Sequence, residues 1–313
     1  MSTRPKSVFA LFGAALLLGA MALPVSSRAD NTGIQQYIGA EPTAYSTPEE
    51  AAAAFKAALA ASDMAGLAKL LGLDEAKLKG FEGITDKVAE LKTASAKLFT
   101  VEADGDRRIV NLGTEVWPFP FPIVKDTDGK WFFDTYAGLE EIVNRRVGDN
   151  ELQAIATSQA YVDAQRDYAA EDRDGDGVLE YAQKLISSEG LTDGLYWPIE
   201  QGDGESLVGP FIDQATLDKV AAGEGYFGYR FRILPSQGDN IAGGAYDYVI
   251  NGNMIAGFAL VAWPAKYAAT GVHTFVVNHA GIVYQRDLGE DTAKLVEDIK
   301  TFNPDAEWTV VED

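Results

Sequence analysis

The chain has 313 residues, of which 47% are hydrophobic, no cysteine, two histidines and a formal charge of −21. The absence of cysteine excludes disulfides, thiolate nucleophiles and Cys-ligated metals, while His273 and His279 cannot assemble a three-histidine zinc site and no H-E-x-x-H pattern is present. So acidic a surface repels phosphate backbones and anionic headgroups, which excludes nucleic acid as a partner, and it attracts divalent cations.

In chain order, MSTRPK places Arg4 and Lys6 ahead of the apolar run VFALFGAALLLGAMALPV, and Ser27-Arg28-Ala29 presents small residues where a signal peptidase reads. The expectation is a signal peptide over residues 1–29, export to the periplasm or beyond, and no stable membrane span after cleavage. Losing Arg4, Lys6 and Arg28 takes the charge to −21 − 3 = −24. Residues 30–45 lack periodicity and read as an extended arm. Thr47-Pro48-Glu49-Glu50 is a capping box with proline at the first helical position, opening a helix with Phe55 and Leu59 on one face. Asp63 and Gly66 interrupt it, and a second short helix over 67–71 ends at Gly72. From Leu98 to Phe133 short aromatic and branched runs alternate with Asp104-Gly105 and Asp128-Gly129 turn signals, which predicts an antiparallel sheet. Pro118, Pro120 and Pro122 confine VWPFPFPIV to an edge or lip. Helices followed by a curved sheet closing on GKWFFD resemble the NTF2-like cone, so residues 46–138 are expected to form such a domain.

Residues 138–170 read as a helical segment broken near Gly148, with Asp149 or Asn150 capping the second part. Ile155, Val162 and Ala169, with Tyr161 and Tyr168 beside them, predict its buried stripe. The last third supplies five strand candidates (GYRFRIL, AYDYVI, GFALVAW, TFVVN, IVYQRDL) with Asn251-Gly252 and Ala280-Gly281 as turns. A final helix over 292–302 offers Leu295, Val296, Ile299 and Phe302 as its buried face. The fold class is α+β, with residues 139–313 as a second domain whose long helix on an antiparallel sheet resembles pilin-like proteins. Its N-terminal apolar segment reads as a cleavable signal, unlike the retained spine of true pilins.

Three blocks together resemble one exported bacterial family. They are WFFDTYAGLEEIVNRRVGDNELQAI, EDRDGDGVLEYAQKLISSEGLTDGLYWP, and the segment from GYRFRIL to YQRDLGEDT. The family is the one known as domain of unknown function 2950. The resemblance implies export and supplies no catalytic residues.

EDRDGDGVLEYAQK is the segment whose chemistry is most legible. A calcium loop of the EF-hand type needs oxygens at its first, third and fifth positions, glycine at the sixth, a backbone carbonyl at the seventh and a bidentate carboxylate at the twelfth. Asp172, Asp174, Asp176, Gly177 and the Val178 carbonyl satisfy the first half, and Glu180 stands at the ninth position. Gln183 at the twelfth offers one neutral oxygen in place of two anionic ones. A helix entering up to Ala170 and LEYAQKLIS leaving would complete the hand. The same residues equally describe a solvated turn whose aspartates cap their neighbours. Elsewhere, neither histidine accompanies a G-x-S-x-G elbow. Arg145-Arg146 are expected to pair with acidic neighbours, and Trp117, Phe119, Phe121 and Trp131 either line an apolar mouth or form core. The expected function is therefore a non-catalytic envelope or periplasmic binding module for an envelope protein or a small apolar ligand, with a Ca2+-stabilised loop. The alternative is an NTF2-like hydrolase or isomerase working in the aromatic cone, which requires a titratable side chain facing inward there.

Overall fold

A computed structural model describes residues 33–173, 175–201, 206–208 and 214–312 of the chain. The segment read as a signal peptide, and Asp174 of the acidic loop, lie outside the described residues. Helices and antiparallel sheets follow one another in an α+β arrangement around two hydrophobic cores.

The first core is built on the capping box. Thr47 Oγ1 accepts from the Glu50 N–H at 3.2 Å, and Glu50 returns to the Ser46 N–H at 3.0 Å, starting α1 (Pro48–Ala61). Asp63, which reads as an interruption in the sequence, is the N-cap of α2 (Met64–Leu71), and Gly72 ends that helix at φ 66°. Helices α3 (Glu75–Lys79) and α4 (Ile84–Lys97) follow. Strands β1 (Phe99–Asp104), β2 (Arg107–Leu112), β4 (Ile123–Lys125) and β5 (Trp131–Phe133) form one antiparallel sheet in that order, with the two-residue β3 (Trp117–Pro118) alongside β2. Pro120 and Pro122 stand outside the strands, as their missing N–H donors require. Residues 33–45 differ from the extended arm expected of them. Ile34 is buried in a 3-10 turn, and Ile38 and Tyr45 bridge to Leu73 and Trp131.

Helix α5 (Thr135–Tyr168) runs unbroken through Gly148 for 34 residues. Asp134 caps its start, its carboxylate accepting from the Ala137 N–H at 3.0 Å. The predicted break fails on magnitudes. A mid-helix glycine costs about 1 kcal/mol relative to alanine, whereas burying one large apolar side chain contributes about 1.5–3 kcal/mol. Leu139 and Val143 are buried in the first core, before Gly148, and Ala154, Tyr161 and Val162 in the second, after it. Anchored at both ends, the helix has no reason to bend. Gly138 serves its approach to the sheet, since a Cβ there would stand 2.0 Å from the Phe121 ring.

The second core lies on a sheet of β16 (Thr309–Val310), β15 (Val283–Asp287), β14 (His273–Asn278), β13 (Ala259–Pro264) and β8 (Tyr229–Leu234), in that order and antiparallel throughout. AYDYVI is divided: β10 (Tyr246–Asp247) pairs with β9 (Ser236–Gln237), and β11 (Val249–Ile250) pairs with β12 (Asn253–Met254) across Asn251-Gly252, both at positive φ. Helix α5 packs on β13, β14 and β15, and α7 (Thr292–Asp298) packs on β13. Helix α7 stops short of its predicted end because Arg232 Nη2 donates to the Val296 and Ile299 carbonyls at 2.6 and 2.8 Å. Leu295, placed on the buried face by pattern, is exposed, while Val296 and Phe302 are buried.

The segment after the acidic loop is not a helix. Residues 178–183 have no regular structure, and β6 (Lys184–Ile186) runs parallel to β7 (Gly194–Tyr196). The reason is Gln165, fully buried on α5. Its amide accepts from the Ala182 N–H at 2.8 Å, and its Nε2 donates to the Ala182 carbonyl at 2.8 Å and to the Tyr161 hydroxyl at 2.9 Å. Both backbone groups of Ala182 are thereby withdrawn from helical pairing.

Two predictions follow from these ties. Gln165→Ala orphans the buried backbone of Ala182 and is expected to destabilise the protein by about 3 kcal/mol, read as a lowered urea midpoint. The second concerns Glu151, which accepts from the backbone N–H groups of Val272 and His273 at 2.8 and 2.9 Å and lies 3.3 Å from His273 Nδ1. Burial pushes the Glu151 carboxyl up, but the hydrogen bonds from His273 and Val272 outweigh it and hold the group below the usual carboxylate range. The hydrogen bond to Glu151 holds the His273 imidazole above its usual value against the opposing effect of burial, with the charges of Glu151 and Asp287 adding to it. A lowered carboxyl stabilises above its unfolded value and loses that as pH falls. A raised imidazole stabilises below its unfolded value and loses that as pH rises. The pair therefore contributes most between about pH 4.3 and 6.5, and Glu151→Gln is expected to cost more stability at pH 5.5 than at pH 8 in denaturant titrations.

Candidate functional site

The acidic loop is docked on the β11–β12 hairpin. Asp172 accepts from the Gly175 and Gly177 N–H groups at 2.8 and 2.9 Å, and Asp176 accepts from the Val178 N–H at 2.8 Å and from Asn253 Nδ2 at 2.7 Å. Glu180 accepts from the Met254 N–H at 2.8 Å, and Gln183 Nε2 donates to the Gly252 carbonyl at 2.6 Å. Arg173, which sequence reasoning passed over, stands over the rings of Tyr168 and Trp197 at 5.2 and 5.4 Å and pins the loop to the end of α5. The structure thus brings Glu180 and Gln183 to the hairpin and turns Asp172 onto its own loop backbone. Among the described residues no group of three or more His, Cys, Asp or Glu side chains is placed to hold a metal ion. Asp174 lies outside that description.

The aromatic run of the first core packs as interior. The Phe55 and Phe119 rings are 4.4 Å apart, Phe119 and Phe121 5.5 Å, and Phe55 and Phe133 5.4 Å, all four buried. Trp117 is exposed and carries Arg145 over its ring at 5.0 Å, while Arg145 also pairs with Glu141 at 2.8 Å. Arg146 donates to the Ala269 carbonyl and, among the described residues, meets no carboxylate. The buried polar residues of this half are Ser95, Asn111 and Thr135, none of them an acid, base or imidazole.

An open cleft lies in the second half and has a volume of about 710 Å³, within the roughly 300–1,000 Å³ range of small-molecule sites. Its long wall is α5, where Gln153, Ala156, Thr157 and Ala160 follow at helical spacing and line one face. Alanine at 156 and 160 keeps this wall shallow. Opposite stand Leu217 and Val220 of α6 (Gln214–Ala221), with Leu185 and Ile186 of β6 and Leu195 of β7 closing one side. The floor is the edge of the sheet, with Tyr229 and Phe231 of β8 and Leu260 of β13. The edge strand is entered through Phe227-Gly228, both at positive φ and flanked by reciprocal Tyr226–Tyr229 backbone bonds at 2.7 and 3.0 Å, the form of a tight hairpin turn. Gly228 allows Asn150 of α5 to pass beneath, since a Cβ would meet its side chain at 2.7 Å.

The chemistry of this wall is sparse. Tyr161 and Tyr229 have buried hydroxyls that donate to the Ala259 and His273 carbonyls at 3.3 and 2.9 Å, and burial, first among the causes, pushes both phenols up. Neither ionises near neutrality. Among the described residues Arg230 is the single charged member of the lining, in a chain with 47 acidic residues against 26 basic ones. Nothing in the sequence pattern singles out this cleft, because its parts come from segments that alternate between core and surface within two or three residues.

No helix among the described residues is long and apolar enough to cross a membrane. No curated protein and no solved structure matches the chain. Residues 42–311 match the family described as "Protein of unknown function (DUF2950)", a span that takes in the second core, all of the first but Ile34 and its neighbours, the acidic loop and the cleft, and the chain belongs to that family.

Proposed function

We propose that this chain is an exported, non-catalytic binding module that holds a small apolar ligand in the cleft between α5, α6, β6 and the edge of the C-terminal sheet. The observation that carries this reading is the lining itself, which among the described residues is mostly apolar, with a few polar groups and no carboxylate or imidazole. General acid–base work near pH 7 needs a group that titrates there, and the buried tyrosines of this wall are pushed the other way. The export half of the proposal rests on the charged, apolar and small-residue pattern of residues 1–29.

Calcium at the acidic loop belongs to the same proposal in a limited form. Asp172, Asp174, Asp176 and the Val178 carbonyl would supply the entry half of the site, with the second Glu180 oxygen from the ninth position. Gln183 is committed to the hairpin through its Nε2, so the affinity expected is that of weak extracellular sites, ~10⁻⁴ to 10⁻³ M.

Two outcomes are expected. Purified chain enhances the fluorescence of the neutral probe N-phenyl-1-naphthylamine, and Ala160→Trp, which fills the groove from a position exposed on α5, weakens that binding at least about tenfold with Tm unchanged. Equal titrations for the two proteins would refute the cleft as the site. For the ion, calcium at ten times its Kd adds about 1.4 kcal/mol, a Tm rise of about 2 °C over chelator for a chain of this size. Asp174→Ala abolishes the rise. Superimposed melting curves for all samples reduce the loop to a bare turn.

A further inference from the structure

The cleft wall is asymmetric in charge, and that asymmetry narrows the ligand class. Arg230 stands on the edge strand, where its Nε and Nη2 donate to the Gly223 carbonyl at 3.2 and 2.7 Å. Those two bonds fix the guanidinium plane and use two of its five donors, leaving three to face a partner. Among the described residues Arg107, Arg145, Arg166, Arg173 and Arg286 each meet a carboxylate, while Arg108, Arg146, Arg230 and Arg232 donate to backbone carbonyls instead, and of those four Arg230 lines the cleft. A chain with 47 acidic residues has thus kept a held, unneutralised guanidinium at its apolar cleft. Behind it the groove follows α5 from Gln153 to Ala160, a rise of about 10 Å, between the two alanines and Leu217 and Val220.

We propose that the ligand is a free single-chain carboxylate amphiphile, its hydrocarbon chain along Ala156, Ala160 and Leu217 and its carboxylate on the free donors of Arg230. This deepens the apolar-ligand reading and rests on it. A planar guanidinium fits a carboxylate with paired hydrogen bonds. A mostly apolar groove with one cation among its described lining residues suits one chain with one anionic end. A bilayer is disfavoured as the source, because a net charge of −21 repels an anionic surface while leaving a monomeric anion able to reach a local cation.

The test is titration calorimetry with octanoate, decanoate and decanol on wild type, Arg230→Gln and Ala160→Trp. Decanoate is expected to bind wild type about 15-fold more tightly than octanoate, from roughly fourfold per buried methylene. Arg230→Gln is expected to weaken decanoate at least about tenfold and to leave decanol within twofold, and Ala160→Trp to weaken both. Arg230→Gln with decanoate unchanged overturns the headgroup assignment, and if Ala160→Trp still blocks both compounds the apolar cleft survives without it. Absence of binding by either compound to wild type overturns both readings. Sedimentation with phosphatidylglycerol vesicles is expected to leave the protein in the supernatant. Co-sedimentation that Arg230→Gln abolishes would overturn the free amphiphile in favour of a membrane headgroup.

Discussion

The Gln165 amide, sealed from water, is the interaction on which the second half of the molecule depends. It copies a strand's hydrogen-bonding pattern and presents it from a helix, so that Ala182 is held by its own backbone as if in a sheet. An unpaired amide there would be costly, which fixes where the chain turns back after the acidic loop. Two residues later β6 begins, and its Leu185 and Ile186 form one side of the cleft. Had Glu180 to Ile186 continued as a helix, those side chains would have been distributed around an axis and the groove would have had no such side.

Helix α5 extends the same logic along its length. One stripe, Ala154, Ser158, Tyr161, Val162, Gln165 and Tyr168, is buried against the sheet and the returning chain. The neighbouring stripe of Gln153, Ala156, Thr157 and Ala160 faces the cleft with side chains too small to fill it. At its N-terminal end the helix belongs to the other core, through Leu139 and Val143. A single rigid element therefore sets the position of the cleft wall against both halves. Glu151 strengthens the attachment by accepting two backbone N–H groups at the start of β14.

Much of this was legible in the sequence wherever one local rule acted alone. The Thr47 capping box, the Gly72 stop, the Asn251-Gly252 turn and the strand runs of the last third need only nearby residues, and the α+β class follows from them. The misses occur where a distant side chain competes with local preference. Gly148 reads as a break until two cores are seen to hold the helix on either side of it. LEYAQKLIS reads as a helix until Gln165, 17 residues from Ala182, takes its backbone. Leu295 fits a buried stripe, but α7 ends early because Arg232, 64 residues from Val296, caps its carbonyls. The cleft was invisible for a related reason: a concave surface is defined by what is missing between elements, and alanines at 156 and 160 carry no signature of the space they leave. The acidic loop was the reverse case, conspicuous in sequence but tied in the structure to its own backbone and to Asn253.

The division of labour within the cleft follows from magnitudes. Each buried methylene contributes about 0.8 kcal/mol, so a chain of six or more outweighs one charge-assisted hydrogen-bonded contact, worth about 1.5–3 kcal/mol. Affinity would therefore come from the groove, and Arg230 would set which end of the ligand points where. On that reading a solitary guanidinium would suffice. A second cation would add little to retention, while a carboxylate beside Arg230 would satisfy its free donors and neutralise the one charge among the described lining residues.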